Sequence, residues 1–307
     1  MLPLTPLTLH VRQLDDLRLP DHAGSMLRGA FGMSLRKLAC ITKQKDCTAC
    51  PLYRSCPYPQ IFETPPPETD NPLARQTANP YVIQAPAMGA RVVKAGEEWP
   101  FGFTLIGKAA DQLPLAVYAW QRACEAGFGK SQSRGELIAM TQEDRTVYTP
   151  DSPLAACSLT PAPLPAADTI ALRFHSPLRL QQHGKVILWN EQVTADLLLM
   201  ALARRVQRLL DQHTADRPQL DFTRLKPAAL ALRADVSALR REDVFRYSSR
   251  QRQVVELDGL KGDIRLEGDL SAFAGLLAVG EYVHVGKNAT HGLGRYSIQP
   301  TGENHHV

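Results

Sequence analysis

The chain has 307 residues, 44% hydrophobic and 21% charged, with 35 Lys and Arg against 31 Asp and Glu for a net charge of +4. That length suits about two domains, and the composition is that of an ordinary globular protein rather than a disordered or fibrous one. No stretch approaches the roughly 18 apolar residues of a membrane span, and MLPLTPLTLHVRQL lacks the basic segment and continuous apolar core of a signal peptide, so the expected setting is cytoplasmic, with no membrane partner.

In chain order, LTLHVRQ (7–13) alternates as a strand does. Ser25 offers an N-cap, and Leu27, Ala30, Phe31, Leu35 and Leu38 follow at helical spacing, which predicts a helix over 25–39. A Cys-rich stretch (40–56) and a Pro-rich one (TPPPETDNP) come next, both irregular. Strands are predicted at 81–86 and 99–107, a helix at 113–127 ending on Gly127, and a strand at 135–142. The order is β-α-β-β-α-β, giving a first domain over 1–150. Residues 151–168, rich in Pro, Ala and Ser, read as a linker.

The second half repeats the order over 169–300. A strand is predicted at 169–180 and a long helix at 191–213. A hairpin of 246–258 and 261–270 is predicted to turn at Asp258-Gly259, followed by a short helix at 271–280 and a last strand at 294–300. Residues 301–307 read as a tail. The expected fold is α+β: two tandem ferredoxin-like (βαββαβ, RRM-like) domains with a Cys-rich insertion after the first helix.

Several groups could carry chemistry. Cys40, Cys47, Cys50 and Cys56 are spaced C-x6-C-x2-C-x5-C. Four thiolates suit tetrahedral zinc, and Cys-Pro pairs also occur at iron–sulfur sites. Either centre would be structural, since four protein ligands leave no open position; the bland alternative is a set of reduced thiols packed under a loop. Arg28 and Arg36 lie off the apolar stripe of the first helix, beside Gly29 and Gly32, and His22 precedes it. A His there could act as acid or base. In RYSSRQRQ, alternation places Arg246, Ser248, Arg250 and Arg252 on one strand face, with Tyr247 on the other. Three Arg in a row suit a run of phosphates. HVGKNATHGLGRY (284–296) packs His284, Gly286, Lys287, Asn288, His291, Gly292, Gly294 and Arg295 into one loop whose glycines let a ligand approach the backbone. Its G-x5-G-x-G spacing is neither a Walker loop nor a dinucleotide fingerprint.

Taken together, GSMLRGAFGMSLRKLAC, CTACPLYRSCPYPQIFE, LPLAVYAWQRACEAGFGK, RYSSRQ, LDGLKGDIRLEGDL and HVGKNATHGLGRY resemble the CRISPR-associated precursor-crRNA processing endoribonucleases of the RAMP superfamily, in their Cys-containing branch. The resemblance implies that 284–296 is the superfamily's Gly-rich, RNA-contacting loop. It implies cleavage of CRISPR repeat RNA beside a stem-loop without a metal ion, by attack of a 2′-hydroxyl on the adjacent phosphate. The products would be a 2′,3′-cyclic phosphate and a 5′-hydroxyl. The enzyme would stay on its crRNA and join other effector subunits in antiviral defence. No cofactor is expected for catalysis. The expected catalytic residues are His22, Arg28 and Arg36, with Tyr247 and Arg250 as lesser candidates. Expected RNA contacts are Arg246, Arg252, His284, Gly286, Lys287, Asn288, His291, Gly292, Gly294 and Arg295.

Where many relatives carry a His shortly after RGAFG, this chain has Met33. That favours an alternative in which the protein binds crRNA as a non-catalytic effector subunit. A third reading, a mononucleotide enzyme using the Gly-rich loop, lacks both a Walker pattern and a carboxylate cluster for Mg²⁺.

Overall fold

The computed structural model describes residues 2–69, 75–248 and 253–299. The chain divides into two compact units, one of residues 1–160 with 208–218, the other of residues 161–207 with 219–307.

The first unit runs β1 (Leu4–Gln13), β2 (Leu17–Leu19), α1 (Gly24–Ala39), α2 (Pro57–Phe62), β3 (Tyr81–Gln84), β4 (Arg91–Val93), β5 (Glu98–Ile106), α3 (Leu113–Ala126), β6 (Gly135–Gln142) and β7 (Arg145–Tyr148). Its main sheet has the order β3-β5-β1-β6-β7, all antiparallel. Without edge strand β7 this is the ferredoxin-like arrangement. Alternation in β1 turns Leu7, Leu9 and Val11 inward, where each is buried. Phe31 of α1 sits at the centre of that core: its ring lies 4.9 Å from Trp120 of α3 and 4.9 Å from Phe103 of β5. Such pairs add to the stabilisation that burial supplies. Helix α1 begins one residue earlier than its periodicity predicts. Its N-cap is Ala23, with no side-chain cap, so Ser25 lies inside the helix rather than capping it.

Gly32 has a steric reason. A Cβ there would stand 2.2 Å from the ring of Phe62. The ring seats in the notch and stacks on Tyr81 at 5.6 Å, so α2 is keyed into α1. Gly29, by contrast, faces open space.

The second unit runs β8 (Thr169–Leu178), β9 (Gln181–Gln182), β10 (Lys185–Val186), α4 (Ala195–His213), α5 (Phe222–Leu230), β11 (Arg233–Asp235), β12 (Arg240–Glu242), β13 (Phe245–Ser248), β14 (Gln253–Glu256), β15 (Gly259–Glu267), α6 (Ala274–Val283) and β16 (Tyr296–Gln299). The sheet order is β11-β15-β8-β16, with β12 also paired to β15. Ile170, Leu172 and Phe174 of β8, Ile264 and Leu266 of β15 and Tyr296 of β16 form its buried face.

The predicted hairpin differs. Residues 246–258 do not run as one strand: β13 pairs with β14 inside that stretch. Asp258-Gly259 is no hairpin turn either. The Asp258 carboxylate is buried and accepts hydrogen bonds from the Val244 amide (3.1 Å) and from Arg241 (2.9 Å). The place of the second ferredoxin strand is taken by the short β11 and β12, which come after a helix, α5, that the periodicity does not mark.

Gly32→Val should cost about 2–3 kcal/mol through overpacking against Phe62, whereas Gly29→Ala should be neutral or stabilise by up to about 1 kcal/mol through helix propensity. Thermal unfolding of the two variants checks this; equal midpoints would refute the keyed contact.

Candidate nucleic-acid interface

The Gly-rich loop is built on the end of β8. The Ser176 hydroxyl donates to the Gly292 carbonyl (2.7 Å) and accepts from the Arg295 amide (2.9 Å). The Gly294 amide donates to the Pro177 carbonyl and the Lys287 amide to the Arg179 carbonyl, both at 2.9 Å. Gly286, Gly292 and Gly294 all have positive φ. At Gly294 the need is absolute, since a Cβ would stand 1.8 Å from the Val285 carbonyl oxygen. Asn288 takes the left-handed conformation that Asn tolerates.

This geometry sorts the loop residues. His284 is fully buried, and its Nδ1 lies 3.2 Å from the Leu293 carbonyl, which closes the loop's neck. His291 is also buried. Both were expected as RNA contacts; in this structure both rings are buried. Lys287 is the exposed cation of the loop, with Asn288 half-exposed beside it. Arg295, at the loop's exit, is half-buried, and burial pulls its guanidinium below the ordinary arginine range.

Of the hairpin residues, Arg250 and Arg252 lie outside the described residues. For Arg246 and Tyr247 the backbone pairing is defined, opposite Val255 and Val254. The exposed Phe245 stands at the base of that hairpin.

In the first unit, Arg28 and Arg36 both turn toward the insertion. The Arg28 guanidinium lies 4.2 Å over the Phe62 ring. Arg36 donates to the carbonyls of Gln44 (2.6 Å) and Lys45 (2.8 Å) and lies 5.7 Å over Tyr58. Arg36 therefore holds the Cys-rich segment to α1, and Arg28 holds α2, the short helix that follows it. His22 is buried just before α1. The exposed stripe of α1 is Gly29, Met33 and Lys37, and Met33 is 64% exposed.

The four cysteines line a single narrow recess with Thr42, Tyr53 and Tyr58. Among the described residues no three His, Cys, Asp or Glu side chains come together as metal ligands in this structure. The thiols engage different partners instead. Cys50 Sγ lies 3.3 Å from Thr42 Oγ1, and Cys56 Sγ points to the Ala39 carbonyl at 3.8 Å. Burial raises the Cys47 thiol above its ordinary value, opposed by nearby Arg36, so it stays protonated at neutral pH.

Residues 2–159 match the family AF_1859_N, described as an N-terminal domain. Residues 172–296 match the family described as CRISPR-associated endoribonuclease Cas6. No curated protein matches the chain. Among solved structures, a Cas6 (TTHB231) product complex is 15% identical with a TM-score of 0.62, over 97% of this chain and 100% of that one; the protein is from Thermus thermophilus. A Cas6 (TTHA0078) product complex is 17% identical with a TM-score of 0.54, over 98% and 100%. A partial Cas6-RT-Cas1–Cas2 complex is 14% identical with a TM-score of 0.58, over 100% of this chain and 48% of that one. At such identities the structural likeness speaks for the fold, which is that of tandem ferredoxin-like domains. No helix among the described residues is long and apolar enough to cross a membrane. The first half of the chain thus belongs with the AF_1859_N family, and the second half, residues 172–296, carries the match to the CRISPR-associated endoribonuclease Cas6 family.

Proposed function

We propose that the chain cleaves CRISPR repeat RNA beside a stem-loop, without a metal ion, and stays bound to the crRNA it releases. The observation that carries this is the Gly-rich loop. It lies within the stretch matched by the endoribonuclease family, is clamped to β8, and offers Lys287 outward. A rigid backbone loop with one mobile cation suits a phosphodiester, whose charge any sequence presents. The hairpin carrying Arg246 and Tyr247, and leading into Arg250 and Arg252, is the proposed grip on the stem. That some Cas6 structures hold product RNA, and another joins Cas1 and Cas2, supports RNA and further CRISPR proteins as partners.

In the reaction, a base takes the proton of the 2′-hydroxyl and the freed oxygen attacks the adjacent phosphorus. The 5′-oxygen leaves with a proton from an acid, giving a 2′,3′-cyclic phosphate and a 5′-hydroxyl. We assign proton transfer to His22. Arg28 and Arg36, occupied by Phe62 and by the Gln44 and Lys45 carbonyls, are assigned to holding α1 and its insertion in place. Their effect on the phosphorane is then one of positioning.

One observation favours the second reading, a non-catalytic crRNA-binding subunit. The exposed face of α1 presents Met33, which can neither take nor give a proton.

Single-turnover incubation in EDTA with a labelled stem-loop repeat RNA separates the two. One cut, abolished by a single 2′-deoxy at the cut site, is the expected outcome; tight binding with no cut would favour the second reading. His22→Gln should slow the cut by about 100-fold or more with stem-loop binding retained, and an unchanged rate would remove His22 from proton transfer. Lys287→Ala should weaken binding across RNA sequences and reduce the slope of log affinity against log salt by about 1; an unaltered slope would count against that contact.

A further inference from the structure

The open face of the second sheet carries an unusual row of charges. Outward alternation on β8 presents Arg173 and His175, both exposed. The His175 amide donates to the Arg295 carbonyl at 2.8 Å, so these two residues are cross-strand neighbours. On the other side of β8, the register Asp263–Arg173, Gly262–Phe174 continues to place Lys261 opposite His175, before extra residues in β8 shift the pairing to Leu260–Leu178. One line across three strands therefore reads Lys261, His175, Arg295. The next line reads Asp263, Arg173, Ser297.

The second line is internally satisfied. Arg173 grips the Asp263 carboxylate with two donors, each at 3.1 Å. Ser297 Oγ lies 2.8 Å from His175 Nε2. The first line is only partly so. Arg295 makes no ion pair among the described residues, although it is half-buried. Lys261 reaches Glu242 only at 3.8 Å. Like charges side by side on a sheet face are destabilising, and a half-buried guanidinium without an anion adds to that cost.

We infer that the row Lys261, His175 and Arg295 binds a phosphodiester of single-stranded RNA flanking the stem-loop. The inference rests on the RNA-processing reading above. A flat pleated face with an accessible ring suits unstacked nucleotides, whose bases can lie on an imidazole or a guanidinium. Arg295 is the last cation of the Gly-rich loop, so the row adjoins that loop.

His175 is a built-in reporter. Burial, then Arg295 and Arg173, and to a lesser degree Lys261, hold its imidazole below the ordinary histidine value, with Asp263 alone opposing them. Without an anion the ring is neutral at neutral pH. A phosphate beside it would favour the imidazolium and raise its titration midpoint. Binding of the flank then takes up a proton, so affinity rises as pH falls from the RNA-bound midpoint toward the free one.

The test uses the full chain with labelled histidines, the His175 resonance being assigned through His175→Gln. Its titration is followed free, with a 2′-deoxy-blocked stem-loop alone, with the same stem-loop carrying a single-stranded flank, and with inorganic phosphate. The expected result is a rise on the order of one pH unit with the flanked RNA only. Lys261→Gln should lower affinity for the flanked RNA about tenfold relative to the bare stem-loop. An unmoved midpoint with RNA demonstrably bound overturns the site and leaves the RNA-processing reading intact. A rise matched by the bare stem-loop or by inorganic phosphate overturns the assignment to a single-stranded flank. If neither RNA binds, both the site and the reading fall.

Discussion

The end of strand β8 is the constraint on which the second unit depends. Over Ser176 to Arg179 the strand stops pairing only with other strands and bonds the Gly-rich loop instead, through one hydroxyl and two carbonyls. A loop held this way cannot tolerate side chains at the crossing points, which is why a glycine faces the Val285 carbonyl. The loop's shape is therefore a property of the core strand rather than of the loop's own propensity. Bound RNA would meet a surface already ordered, so little conformational entropy is lost on contact.

The first unit solves a different problem. Its sheet and two helices form an aromatic core around Phe31, and the insertion must attach to that core without disturbing it. Phe62 enters the Gly32 notch, Arg28 covers its outer face, and Arg36 ties down the two carbonyls at 44 and 45. Cations that would serve a phosphorane in open solution are here committed to packing. The outward face of α1 is left with Lys37 as its charge.

Much of this was legible in the sequence, because the main elements obey simple periods. Strands β1, β5, β6, β8 and β16 alternate, α1 and α3 carry clear stripes, and the ferredoxin-like order follows from them. The elements that escaped were set by tertiary contact. Strands β11 and β12 have three residues each, too few for a pattern, and exist because β15 offers them an edge. The stretch 246–258 alternates well enough for one strand, yet buried Asp258 pins its end and the chain folds back on itself. Ser25 has the chemistry of a cap, but the helix starts before it. The four cysteines have the count and the spacing of a metal site, but spacing could not show that Cys50 would meet Thr42 and Cys56 the Ala39 carbonyl. The burial of His284 and His291 could not be read from composition, since a histidine beside glycines looks the same whether it faces solvent or is buried.

The way the Cys-rich insertion is attached has an evolutionary consequence. Both of its feet stand on one helix: Arg36 holds its beginning, and Phe62, in the Gly32 notch, anchors the short helix α2 at its far end. Between those feet the segment contributes little to the hydrophobic core. Its length and residues can therefore drift, or be exchanged wholesale, while the scaffold beneath keeps its geometry. Selection can act on this cassette separately, much as it acts on a surface loop grafted onto an immunoglobulin frame.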